Sequence, residues 1–275
     1  MQWAEVSLYT NPFDEVIGAA AFDGSAIDSD FSSTSPEYST DGGYAKCWVR
    51  ENNTIKLYKA GSQLLVIEPF SEFFASQIAA VVCPDSVRYD FGVYHDQLVS
   101  KCDLFTSENM GFAKASRIFG QKQRIVDLLE YYEKLGSGDT FRRMCVLDVL
   151  ILNPDRHYGN FGVLFDTDTM QVTERAPVFD HNKSLFPELD EDEQARPVLH
   201  CASRLGPDFI STAKSLLTDD IRSDLKNLLG FSFVQHPELR LPDTRVNQLK
   251  KLFVPKFNKF CTEFSSYFEV PGALA

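Results

Sequence analysis

No stretch of this sequence stays apolar for the roughly 20 residues that a membrane-spanning helix needs, and no polybasic run is present to hold the chain on an anionic membrane. Basic residues are the minority: 27 Lys and Arg stand against 39 Asp and Glu, a net charge of −12. Such a surface repels phosphate backbones and anionic headgroups, which argues against direct nucleic acid binding and against a membrane partner. Cysteine is sparse, six residues at 47, 83, 102, 145, 201 and 261 with no C-x-x-C pair. That scatter offers no zinc or disulfide framework and fits reduced thiols in a cytoplasm. Met1 is followed by Trp3 and Glu5 rather than a basic-then-apolar leader, so no signal peptide is expected. A cytoplasmic location is the expectation, with a secreted effector the other location left open. Internal repeats and low-complexity tracts are also missing.

What is present is enough apolar material for a sizeable core: 44% of 275 residues are hydrophobic, which suits one large domain or two lobes sharing a cleft. Residues 1 to about 65 read as strands and turns, with "VSLYT", "KCWVR" and "TIKLYK" as strands and Ser35–Lys46 as a glycine-containing loop. In "EPFSEFFASQIAAVV", Pro69, Glu72 and apolar residues at 70, 73, 74, 78 and 81 predict an amphipathic helix. Strand character returns over 91–105, and from about 106 the sequence becomes mainly helical. "TFRRMCVLDVLILN" is apolar on most faces and predicts a buried helix running to Pro154. A hairpin follows, "GNFGVLFD" and "QVTERAPVFD" around "TDTM", then a helical tail punctuated by Pro237, Pro242 and Pro255. The expected fold is α+β and two-lobed, a β-rich N-lobe over 1–104 and a mainly helical C-lobe over 105–275.

Chemistry concentrates in "ILNPDRHYGNFG", 151–162. Asp155 and Asn160 form D-x-x-x-x-N, and Asp180 closes the hairpin twenty residues later. Phosphoryl transfer needs one carboxylate to orient the attacking hydroxyl, plus an amide oxygen and a second carboxylate to hold magnesium against a triphosphate. Magnesium prefers oxygen ligands, so Asn160 and Asp180 suit it, with Asp155 facing the acceptor. His157 reads either as a general base or as a brace of the loop's shape, the latter favoured because Asp155 already fills the base role. Arg156 reads equally as a phosphate contact or as a loop-bracing ion pair. In the first lobe, a strand lysine paired with a helix glutamate would clamp the α and β phosphates. Glu72 supplies the acid. Lys59, at a strand end before Gly61, is the lysine favoured by position, and Lys56 is its competitor. "STDGGYAK" could cover the phosphates with its N–H groups, but it is no Walker loop.

These segments resemble a known family. "NPDRHYGNFGVLFD" with "APVFDHNKSLFP" resembles the catalytic segment of HipA-like serine/threonine kinases, and "STDGGYAK", "LYKAGS" and "SEFFASQIA" resemble their nucleotide lobe, in the same order over residues 35 to 190. The chain looks closer to the compact, stand-alone members, the CtkA type among them, than to the larger toxins with an extra N-terminal subdomain. The resemblance implies a protein-kinase-like fold related to the phosphoinositide kinases, with ATP and Mg2+, Asp155 as catalytic base, Asn160 and Asp180 as metal ligands, and Lys59 with Glu72 on the phosphates. It implies a protein substrate and, for toxin members, an antitoxin-type partner. It also implies a phosphate loop of pattern S-x-x-G-x-x-x-K through Ser39, Gly42 and Lys46, in which the serine is autophosphorylated; the other reading makes Ser39 an ordinary turn serine, with Thr40 or Ser35 the residue modified if any is. "FDHNK" replaces the small residue found after the metal-binding Asp in several members, and Asn182 is a residue that can take a left-handed conformation there. Two other readings stand beside this one: a lipid or small-molecule kinase, because D-R-H-x-x-N is also the phosphoinositide-kinase loop, and a non-catalytic pseudokinase. "PELDEDE", 187–193, reads as a solvated acidic loop; facing an acceptor, it would favour basic substrates.

Overall fold

The computed structural model describes residues 7–10, 13, 15–24, 43–62, 67–185 and 204–266. Ser39, Gly42, Cys201 and the acidic run 187–193 lie outside them.

Alternating side chains build the first sheet. β1 (Lys46–Glu51) and β2 (Thr54–Ala60) pair antiparallel around Asn52 and Asn53, both at positive φ, the backbone that a two-residue type I′ turn demands. β3 (Asp90–Tyr94) and β4 (Gln97–Asp103) do the same around His95 and Asp96, and the strand order is β1-β2-β4-β3. One face of this sheet carries Cys47, Tyr58, Ala60 and Val99, which pack with Ile17 and Phe22 of helix α1 (Glu15–Asp23). The other face carries Leu57, Lys59, Ser100 and Cys102 and lines a cleft. α2 (Glu68–Val82) packs against β2, β3 and β4 and also against the helices below, so it belongs to both lobes.

Residues 104–109 lead to β5 (Met110–Lys114), α3 (Ala115–Phe119), α4 (Ile125–Lys134) and α5 (Gly138–Leu150). β6 (Gly162–Asp166) and β7 (Val172–Arg175) complete an antiparallel sheet of order β5-β6-β7. α6 (Phe209–Leu216), α7 (Asp219–Asn227), α8 (Asp243–Gln248) and α9 (Val254–Ser266) close the lower lobe. α5 is its axis: Phe141, Met144, Val146, Leu147, Val149 and Leu150 are all fully buried in one apolar core that runs from Phe70 to Phe264.

Several expectations need correction. The described part of "VSLYT", residues 7–10, is no strand: residues 8–10 form a turn, and a helix, α1, follows where strands and turns were expected. The small residues of α1 let it lie flat on the sheet, where burial outweighs its weak periodicity. β5 breaks the helical region after 106, because "MGFAK" is too short and too glycine-rich to show an alternation. α5 stops at Leu150, not at Pro154, since the chain leaves it through Leu152 at positive φ. Pro255 does not end a helix. It sits in the first turn of α9, directly after a π-helical turn at Leu249–Phe253, where its missing N–H leaves an α-type bond unmade.

Candidate active site

The catalytic-loop segment is held from below. Arg156 is buried (3% exposed) and its guanidinium forks onto Asp148 of α5, with Nε 3.0 Å from Oδ2 and Nη2 2.9 Å from Oδ1. Its Nη1 donates to the carbonyls of Asn160, at 2.8 Å, and Phe179, at 2.5 Å. One side chain therefore ties both ends of the β6–β7 hairpin to the end of α5, which brings Asn160 and Asp180 to one place. Of the two readings for Arg156, the loop-bracing ion pair is the one observed. A planar, always-charged fork suits this task as no lysine would. Asn153 adds to the brace: its Oδ1 accepts from the Asp155 N–H at 3.0 Å.

The same cleft, a cavity of about 400 Å³, brings together Lys46, Lys59, Glu72, Asp155, His157, Asn160 and Asp180. Lys59 Nζ donates to Glu72 Oε1 at 2.7 Å and to Asp180 Oδ1 at 2.6 Å. Lys56 lies on the opposite face of β2 and pairs at the surface with Asp103 at 2.6 Å, so of the two lysines it is Lys59 that faces the cleft. Ser100 Oγ donates to the second oxygen of Glu72. Burial would lower the Lys59 ammonium, but the carboxylates of Glu72 and Asp180 outweigh it and raise its pKa. Burial would likewise raise Asp180, yet Lys59, with Arg156 behind it, holds the carboxyl down to about 2, so Asp180 is ionised at neutral pH.

His157 Nδ1 accepts from the Gly159 N–H at 2.9 Å, the bracing geometry. Asn160 Nδ2 donates to the Asp155 carbonyl at 3.1 Å, which commits its nitrogen and leaves its amide oxygen for a cation. Asp180 adopts φ 61°, a left-handed backbone, and its N–H donates to the Tyr89 hydroxyl at 2.9 Å. Asn182, which could have taken a left-handed conformation, does not; Asp180 and Leu185 do. Among the described residues no three His, Cys, Asp or Glu side chains converge as an all-protein metal cage. Asn160 and Asp180 fit magnesium all the same, because that ion takes few protein oxygens and completes its shell with water and phosphate.

Several participants carry no signal in the sequence. Glu68 accepts from Tyr44 Oη at 2.9 Å and from the Ser62 N–H at 2.9 Å, and Lys183 stands 5.5 Å above the Tyr44 ring. Together they pin the end of the glycine loop between α2 and the segment after Asp180. Arg204 pairs with Asp155 Oδ1 at 2.8 Å from 49 positions away, a contact only the fold creates.

No family model matches the chain. Its sequence is 27% identical over 166 residues to the serine/threonine-protein kinase CtkA of Helicobacter pylori (strain J99), a match covering 55% of this chain and only 50% of that protein. The crystal structure of the Helicobacter pylori proinflammatory kinase CtkA superposes with a TM-score of 0.52 at 16% identity, covering 84% of this chain and 95% of that one. HipA, from the HipA–HipB–operator DNA complex of the Shewanella oneidensis MR-1 toxin–antitoxin system, superposes with a TM-score of 0.53 at 12% identity, covering 91% and 70%. The chain thus has the two-lobed α+β fold of CtkA and HipA and resembles the HipA-like kinases in sequence.

Proposed function

We propose that this chain is a protein serine/threonine kinase that transfers the γ-phosphoryl group of ATP with magnesium. One observation carries the reading: Lys59 bridges Glu72 and Asp180 in a single cavity that also holds Asp155 and Asn160. A surface arrangement has no need of an ion triad in which Lys59 and Glu72 are buried and Asp180 is partly so, since their desolvation is costly unless all are paired. A triphosphate entering the cavity replaces Asp180 as one partner of Lys59, leaving the carboxylate free for the cation. Asn160 and Asp180 would hold magnesium, which supplies charge neutralisation of the phosphates. Asp155 orients the acceptor hydroxyl. The new bond forms between the acceptor oxygen and the γ-phosphorus as the bond to the β–γ bridging oxygen breaks. The acceptor's proton passes to Asp155 and ADP leaves. The glycine loop through Ser39 and Gly42 would cover the phosphates, and self-phosphorylation on Ser39 would lower ATP affinity by like-charge repulsion.

Labelled-phosphate transfer from magnesium-ATP, to the chain itself and to added protein, tests the reading. Asp180→Ala and Asn160→Ala should each lose at least about a hundredfold in turnover, Asp180→Ala the more, because each removes an electrostatic contact made to the transferring group. Near-normal turnover in Asp180→Ala would overturn the assignment.

A further inference from the structure

Beside the nucleotide cavity lies a second one of about 450 Å³, lined by Ser116 and the turn after α3 through Gln121 and Lys122, by His157 and Tyr158 of the catalytic loop, and by Arg204. His157 lines both cavities, so they meet at the loop that carries Asp155. The turn is fixed to that loop: the Gln123 N–H donates to Tyr158 Oη at 2.8 Å and the Ser116 N–H to the Tyr158 carbonyl at 2.9 Å. Among the described residues no carboxylate lines this cavity. Its charged members are the cations Lys122 and Arg204, and Lys122 makes no ion pair among the described residues. Arg204 is half exposed and bonded to Asp155 Oδ1.

We propose that this cavity is the acceptor site and that it selects polypeptide segments with an acidic side chain next to the serine or threonine to be phosphorylated. The inference deepens the kinase reading and rests on it. An acceptor hydroxyl must reach Asp155 while its flanking residues lie on the surface beyond, and this cavity occupies that place. A flanking carboxylate draws Arg204 away from Asp155, and Lys122 holds the same segment by charge complementarity. Asp155 Oδ1 is then released as well, and both carboxylate oxygens face the hydroxyl proton. Arg204 is thus a positioning residue: it holds one oxygen of the base in the absence of an anionic segment and releases it to acceptors that bring one. A protein is favoured over an anionic lipid because the net charge of −12 repels a membrane surface. The choice is opposite to the basic substrates that the acidic run at 187–193 would have favoured.

The test measures initial rates of phosphate transfer from magnesium-ATP to dephosphorylated casein (acidic), to myelin basic protein and to phosphatidylinositol vesicles, using the wild type, Lys122→Glu and Arg204→Ala. Casein should be preferred over myelin basic protein by about tenfold in kcat/KM, the worth of roughly one well-placed charge contact. Lys122→Glu should abolish that preference while the KM for ATP stays unchanged. Arg204→Ala should raise the KM for casein and leave that for myelin basic protein unaltered. Equal or inverted preference, unchanged ratios in both variants, label on self alone, or label on lipid would overturn the acceptor site while leaving phosphotransfer standing. Absence of any ATP consumption would remove the kinase reading, and the acceptor site with it.

Discussion

Lys59 and Lys56 are three positions apart on one strand, and pleat geometry sends them to opposite faces. The consequence is measurable. Lys59→Met should weaken binding of a non-hydrolysable ATP analogue by at least about tenfold, the worth of one charge-assisted hydrogen bond. Lys56→Met removes only a surface pair with Asp103 and should be nearly silent. Calorimetric titration reads both; a silent Lys59 with a damaging Lys56 would reverse the face assignment. His181 makes a second residue-scale prediction. It is fully buried, and burial, with Arg156 adding, pushes its pKa down to about 3. The unfolded chain accepts that proton below about pH 6.5 and the folded one refuses it, so this contribution to stability is whole above pH 6.5 and lost as pH falls toward 3, at about 1.4 kcal/mol per unit. Urea unfolding of the metal-free, nucleotide-free protein at pH 7 and pH 5.5 should show that loss in the wild type and not in His181→Gln. Equal losses in the two would show that the imidazole titrates normally.

At the scale of elements, what a short window determines is legible and what long-range packing determines is not. Pro69, Glu72 and the spacing of Phe70, Phe74 and Ile78 located α2, and the "TDTM" turn located the β6–β7 hairpin, because each depends on neighbours in the chain. α1 and β5 escaped because neither stands without partners; β5 is a strand only because β6 lies beside it. Gly162 shows how tight that pairing is. A Cβ there would lie 2.0 Å from the Ala113 carbonyl oxygen, a backbone atom that cannot swing aside. Gly162→Ala should therefore cost about 1–3 kcal/mol in urea unfolding, in line with overpacking elsewhere, and should lower turnover through the displaced Asn160 two residues away. Full stability in the variant would mean that the sheet gives way more easily than its packing implies.

For the molecule as a whole, the candidate site was readable where chemistry fixes residue type and hidden where geometry fixes the contact. Asp155, Asn160, Asp180 and the Lys59–Glu72 pair were visible because phosphoryl transfer admits few side chains, and the resemblance set their order. Arg156 was open between two roles until Asp148 appeared beneath it, and neither Glu68 nor Arg204 announces itself, since each meets its partner only after folding. The two lobes meet through α2 and through Lys59, whose partners come one from each side of the cleft. The most direct test is intact-mass and phosphoamino-acid analysis after incubation with magnesium-ATP and casein, comparing the wild type with Asp155→Asn. The wild type should place phosphate on serine or threonine, and Asp155→Asn should bind the nucleotide equally well yet transfer at least about a hundredfold more slowly, the usual worth of a positioned base. A wild type that binds magnesium-ATP and transfers nothing, or an Asp155→Asn variant that transfers at the wild-type rate, would contradict the account.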